Sequence, residues 1–256
     1  MLKVDQICLL GNDKRMDFAA QYFYDVGFDV SREYHDIGKS QVVVFSPMTK
    51  EQEIIDVLKY MRMKNIVFVG NETQKIKDIC DKKEIELISY LSIPSLVTEN
   101  AILTAKGIIK EAINCNAVLE ASHCLVCGYG NCGKAIATEL LKMNSYIDIL
   151  VRRKEQKSEI EKRGYKCILF QDVPHISFEK YSYVFNTIPV CAIDQAILSK
   201  FTKTIIIFDI ASNMGGIDKD YCMKHQIELH HKLGIPGKMF PRQAGELIAK
   251  EVYNYL

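Results

Sequence analysis

The chain carries almost no net charge: 33 lysines and arginines stand against 32 aspartates and glutamates. Near-neutrality excludes a global field that would draw it onto nucleic acid or an anionic membrane, so any anion site must be local. A long apolar run is also missing. The stretch from Thr204 to Ala211 is short and interrupted by Asp209, far below the roughly 20 residues of a spanning helix. Met1-Leu2-Lys3-Val4-Asp5 lacks the layout of a secretory signal. With 14 glycines and 6 prolines in 256 residues, no short-period repeat and no low-complexity tract, collagen-like and disordered classes are excluded. The nine cysteines, at 8, 80, 115, 124, 127, 132, 167, 191 and 222, are odd in number and scattered. A disulfide framework is not expected; reduced thiols in a soluble, cytoplasmic protein are.

What is present is a full complement of core residues, 48% hydrophobic, enough for one large domain or two α/β lobes. Short β-rich runs alternate with helical period, the pattern of βα units around a parallel sheet. Strands are read at 6–10, 30–34, 41–45, 66–69 and 86–88, with helices at 14–25, 51–63 and 73–82. After Leu91-Ser92-Ile93-Pro94 breaks the pattern, 97–119 reads as one long helix. A second series follows, with strands at 123–127, 146–151, 166–169, 183–186, 204–209 and 228–231 and helices at 132–143, 154–162, 192–199 and 219–225. The last helix, 244–256, has an apolar stripe that needs a surface, which the first lobe can offer. The division expected is a substrate-side lobe over 1–95, a linker helix over 96–120, a nucleotide-binding domain over 121–240 and a returning C-terminal helix over 241–256.

The sharpest motif is Gly128-Tyr129-Gly130-Asn131-Cys132-Gly133. It follows the apolar run Cys124-Leu125-Val126-Cys127 and opens a helical run, the context in which a G-x-G-x-x-G binds a dinucleotide. Gly128 serves the tight turn, Gly130 the close approach of a pyrophosphate, Gly133 the packing of helix on strand, and the helix N-terminus the phosphate charge. The second strand then ends in Arg152-Arg153-Lys154 with no carboxylate before Glu155. A base there accepts the 2′-phosphate, so NADP(H) is expected, with Arg152 leading and Arg153 or Lys154 secondary. Asn186-Thr187-Ile188-Pro189 and Asp209-Ile210-Ala211-Ser212 end two strands on the same rim, where Asn186 and Thr187 offer bonds to ribose and carboxamide.

Other tempting groups carry less. Cys124 and Cys127 lie three apart on a strand and face opposite sides, so no metal site is expected there. His230-His231 sit on a strand with their rings on opposite faces. Cys132 at a helix N-terminus is a candidate for a lowered pKa and oxidant sensitivity.

In their order, these residues resemble the dipicolinate synthase A-subunit family. Gly11-Asn12-Asp13-Lys14-Arg15 is similar to its G-G-D-x-R; Asn186-Thr187-Ile188-Pro189 to its N-T-I-P; and Asp209-Ile210-Ala211-Ser212 with Gly215-Gly216 to its D-L-A-S-x-P-G-G. Gly234-Ile235-Pro236-Gly237-Lys238, followed by Pro241-Arg242-Gln243-Ala244-Gly245, resembles its G-L-P-G-x-x-A-P-K-T-A-G. Leu103 and Lys106 replace the proline and glutamate of its N-S-I-P-T-x-E-G, and Met214 stands at another family proline. The resemblance implies an α/β fold of two Rossmann-like lobes with parallel sheets joined by long helices. It implies NADP-dependent oxidation of a dihydrodipicolinate to pyridine-2,6-dicarboxylate, in partnership with a flavoprotein-like B subunit.

Such a reaction needs orientation and paired cations for two carboxylates. Arg15, Lys238 and Arg242 are the candidate substrate-binding residues, with Lys106 as a further cation. Lys106, Asp209 and Ser212 are unranked candidates for proton acceptor. A homo-oligomer is expected, since two-lobed dehydrogenases commonly pair through symmetric helix faces. Two other readings stand beside this one: a shikimate-dehydrogenase-like NADP oxidoreductase, and a non-catalytic nucleotide-binding scaffold marked by Lys106.

Overall fold

The computed structural model describes residue 4, residues 6–212 and residues 216–256. Met214 and Gly215, both singled out in the sequence, lie outside the described residues, as does most of the N-terminal pentapeptide. The chain divides into one unit of Met1–Asn100 with Pro236–Leu256 and a second of Ala101–Ile235.

The first unit is built on β1 (Gln6–Leu10), β2 (Asp29–Ser31), β3 (Val42–Phe45), β4 (Ile66–Val69) and β5 (Glu86–Ser89), in the order β2-β1-β3-β4-β5 with every pairing parallel. Its central strands are continuously apolar because both faces are covered. Ile7, Leu9, Val42, Val44, Ile66 and Phe68 pack into one cluster; their neighbours Cys8, Leu10, Val43, Phe45, Val67 and Val69 pack into another. The first face is closed by α1 (Lys14–Asp25) and by α10 (Pro241–Tyr255), whose Ile248, Ala249 and Val252 are buried there. The C-terminal helix thus returns to the first lobe, starting three residues earlier than its apolar stripe shows because Pro241 is tolerated in a first turn. The opposite face takes α2 (Glu51–Leu58) and α3 (Gln74–Lys83). Periodicity carries α2 on to Met63, but the helix stops at Leu58. There the Lys83 ammonium donates to the carbonyls of Leu58 (2.6 Å), Lys59 (2.9 Å) and Met61 (3.2 Å), satisfying groups a longer helix would use itself.

α4 (Pro94–Asn114) leads from the first unit into the second. The proline read as a break is its first residue. The helix ends five residues sooner than expected, because Asn116 is left-handed (φ 61°) and Ala117 N–H closes back on Ala112 O at 3.0 Å, a Schellman end.

The second unit holds β6 (His123–Cys127), β7 (Tyr146–Val151), β8 (Lys166–Leu169), β9 (Tyr183–Asn186), β10 (Ile206–Asp209) and β11 (Glu228–His231), ordered β11-β10-β9-β6-β7-β8 and wholly parallel. Between them run α5 (Asn131–Lys142), α6 (Lys157–Lys162), α7 (Gln195–Leu198) and α8 (Lys219–His225); α9 (Ile235–Met239), which follows β11, belongs to the first unit from Pro236 on. This is the doubly wound order of a dinucleotide fold, with its switch point between β6 and β9. In the first sheet the switch point lies between β1 and β3. Among the described residues no helix is long and apolar enough to cross a membrane.

Candidate functional site

At the β6–β9 switch point the chain turns sharply at Gly128, whose φ is +95°. A Cβ on it would stand 2.4 Å from Thr187 Oγ1, and one on Gly133 would stand 2.1 Å from the Gly128 carbonyl oxygen. Both positions require glycine, one for backbone sign and one for the contact of α5 with the strand end. Gly130 differs: a Cβ there meets nothing within 4 Å, so the second glycine borders open space. The first backbone bond of α5 is Lys134 N–H to Gly130 O, at 2.9 Å. The amides of Asn131, Cys132 and Gly133 are therefore left over at the helix N-terminus, the arrangement that takes a phosphate. Tyr129 faces inward, its ring 5.2 Å from the Lys134 ammonium and its carbonyl held by Gln156 Nε2 at 3.1 Å. At Cys132, where a helix N-terminus suggested a lowered pKa, burial pushes the thiol up.

The rim opposite the loop is tied together rather than left open. Thr187 sends both its N–H and its Oγ1 to Cys127 O, each at 2.9 Å, clamping the end of β9 to the end of β6. Asn186 donates to Asp209 Oδ1 at 2.9 Å and brackets Ile188 through a 3.2 Å bond each way. Asp209 is 0% exposed. Its Oδ1 also accepts from Ala211 N at 3.0 Å, and its Oδ2 from Gly216 N at 3.0 Å. The side chains of Asn186 and Thr187 are thus engaged by the chain itself. Asp209, a candidate proton acceptor from sequence, is the anchor of two loops. Ile188 is half-buried and Pro189 exposed at the rim.

Past β7, Arg152, Arg153 and Lys154 are exposed, and among the described residues none forms an ion pair. Arg152 lies over Phe170, 5.6 Å from its centroid, where the chain leaves β8. The end of the second strand therefore carries free cations beside an aromatic ring.

In the first unit the switch point between β1 and β3 holds a constellation that sequence reasoning missed. Asp13 accepts from the Arg15 amide (2.9 Å), from Arg15 Nη2 (2.6 Å) and Nε (3.0 Å), and from Ser46 Oγ (3.1 Å). Both side chains are 10% exposed. Burial alone would raise the Asp13 carboxyl; the bonds from Arg15 and Ser46 outweigh it and hold the group below its usual range. Arg15, expected to meet a substrate carboxylate, is neutralised by Asp13 and covered by Gly237, where a Cβ would fall 2.8 Å from its Nε. The spacing Asp13-x-Arg15 was the available signal, since an N-cap aspartate reaches the amide two residues on. Lys238 is exposed, and Arg242, 65% exposed, stacks on Phe18 at 4.7 Å with Glu246 Oε1 at 3.7 Å. Lys106 on α4 and Ser212 after β10 are exposed. His230 and His231 take opposite faces as alternation requires: His231 meets Lys219 Nζ and Ala211 O at 3.1 Å each, whereas His230 stacks on Phe208.

No protein-family model matches the chain. Over 198 residues, 75% of its length, it is 26% identical to the dipicolinate synthase A-subunit of Bacillus subtilis (strain 168), and the match spans 64% of that relative. This chain is similar to the dipicolinate synthase A chains. The crystal structure of the dipicolinate synthase A-subunit from Bacillus halodurans covers all of it, and 98% of its own length, at a TM-score of 0.87 and 17% identity. D-lactate dehydrogenase from Escherichia coli shares the two-lobed fold more distantly, with a TM-score of 0.64 and 12% identity over 98% of this chain and 95% of its own.

Proposed function

We propose that this chain is an NADP-dependent oxidoreductase of the dipicolinate synthase A type, acting on a cyclic dihydro-dicarboxylate to give the aromatic pyridine-2,6-dicarboxylate. The observation that carries the reading is the loop Gly128–Gly133: a turn closed to any side chain at Gly128, open space at Gly130, and three unspent amides at the head of α5. That geometry fits a dinucleotide pyrophosphate. The loop amides hold the pyrophosphate, and Arg152 with Arg153, seconded by Lys154, holds a 2′-phosphate. Bound NADP⁺ supplies a hydride acceptor. Thr187 and Asn186 act as positioning residues, fixing Ile188 and Pro189 on the rim through Cys127 and Asp209. Lys238 and Arg242 are the cations available to substrate carboxylates, since Arg15 is committed to Asp13. Lys106 and Ser212 remain as proton acceptors, since Asp209 is engaged on both oxygens. Self-association and a flavoprotein-like B subunit belong to this reading.

The replacement of the family's glutamate by Lys106 favours a second reading, in which the chain binds nucleotide without turnover. The purified protein mixed with dihydrodipicolinate and NADP⁺, with and without a B subunit, separates the two. Formation of reduced nicotinamide together with dipicolinate absorbance supports the enzyme; intact NADPH binding with no product supports the scaffold. Arg152→Ala is expected to raise the NADPH Kd about tenfold while leaving NADH unchanged, the loss of roughly one charged phosphate contact. An equal effect on both nucleotides would remove Arg152 from the phosphate site.

A further inference from the structure

Just past the end of α4, the Cys115 sulfur lies 3.8 Å from His230 Nδ1 on β11, and Nε2 of the same ring lies 2.6 Å from Glu228 Oε1. The ring is held flat. It stacks on Phe208 with centroids 5.2 Å apart and planes 14° apart, and Phe208 stacks on Phe185 at 5.3 Å and 18°. These three are register neighbours across β11, β10 and β9. A carboxylate at Nε2 keeps the proton on that nitrogen and leaves the Nδ1 lone pair toward the thiol. Nucleophile, base and orienting acid therefore stand in the relation that activates a cysteine. The group is reachable: Cys115 is only partly buried, the His230 side chain is 23% exposed, and Ile113, Asn114, Asn116 and Val118 around it are exposed.

We propose that Cys115 is a histidine-assisted thiol that exchanges with small-molecule disulfides, making a reversible mixed-disulfide site on the nucleotide-binding unit. His230 Nδ1 takes the thiol proton, and Sγ attacks one sulfur of the small disulfide. A new S–S bond forms, the old one breaks, and the departing thiolate takes the proton from the imidazolium. Cys115 is oxidised, and the small disulfide is reduced to one free thiol and one bound half. Acyl transfer is not supported here, because the amides beside the sulfur are spent: Cys115 N on Glu111 O, Asn116 N on Ile113 O and Ala117 N on Ala112 O. None of these three amides is left as an oxyanion donor. The charged groups facing the pair are Glu228 on its own strand, Lys232 just after it and Glu111 on α4, the last two joined at 2.7 Å. Among the described residues no other cysteine sulfur hydrogen-bonds a histidine, and burial pushes the other eight thiols up. Cys191, exposed but beside Asp218 and Asp194, serves as the internal control.

The test treats the full chain at neutral pH with oxidised glutathione and, separately, with uncharged bis(hydroxyethyl) disulfide, and reads the rate at each cysteine by peptide mass mapping. Cys115 should label about tenfold or more faster than Cys191 with both probes, a threshold below the roughly hundredfold or more that general-base assistance typically supplies. His230→Asn should slow Cys115 by about tenfold and leave Cys191 unchanged. Glu228→Gln, at a side chain 52% exposed, should slow Cys115 by a smaller factor with the fold intact. If His230→Asn unfolds the chain, exposing all nine thiols at once, Glu228→Gln decides alone. Cys115 labelling no faster than Cys191, or at a rate unmoved by Glu228→Gln, overturns the proposal.

Discussion

Asp209→Asn separates an anchor from a catalyst. In the parent the carboxylate accepts three bonds in the interior, two on Oδ1 from Asn186 and Ala211 and one on Oδ2 from Gly216. An asparagine keeping its oxygen toward the two donors turns its own NH₂ against the Gly216 N–H. One bond to a charged acceptor is lost, worth about 1.5–3 kcal/mol, and a buried donor is left unpaired, at about 1–3 kcal/mol more. The expected loss is about 3–4 kcal/mol, which for a chain of this size lowers the melting temperature by roughly 10 °C. Scanning calorimetry reads the shift, and NADPH titration should show weaker binding as the loops around Ala211 and Gly216 loosen. A variant that melts with the parent, binds nucleotide normally and fails only in turnover would refute this reasoning and restore Asp209 as the proton acceptor.

Gly128→Ala places a Cβ at φ +95° and 2.4 Å from Thr187 Oγ1, so nucleotide binding measured by calorimetric titration should fall below detection while Arg153→Ala loses only about tenfold. Arg15→Ala should destabilise the chain by about 2–4 kcal/mol by leaving Asp13 buried and unpaired, read as a lower urea midpoint; an unchanged midpoint would return Arg15 to the substrate-binding residues. Because the folded Asp13 carboxyl is held low, the stability it lends is fully present above its unfolded pKa of about 3.9 and is lost as pH falls through the lower folded value. Asp13→Asn should therefore flatten the acid limb of a stability-against-pH curve below about pH 4, and an unaltered limb would count against the pair.

The two βα series, the parallel sheets and the phosphate loop were legible along the chain because strand period, helix period and glycine spacing are local. β1, β4, β6, β7 and α1 fall on the residues their patterns mark. The errors at helix ends have two causes. α2 runs short because Lys83 reaches 25 positions back to its end, and α4 closes early on a left-handed Asn116 that no apolar stripe announces.

Charge behaved in the same way. Arg15 and Arg152 look alike as cations following strands, yet one is bound by Asp13 and the other meets no carboxylate among the described residues. Asp209 looks like a base at a strand end until Asn186, 23 positions away, is seen donating to it. Fold class and the glycine-rich loop could be read from the residues alone, since each rests on patterns within a few positions. Which charged groups are spent inside and which stay available is set by the way the chain folds back on itself, and that folding brings Cys115 to His230 across 115 positions, because pairing across a fold depends on topology that neighbouring residues do not encode.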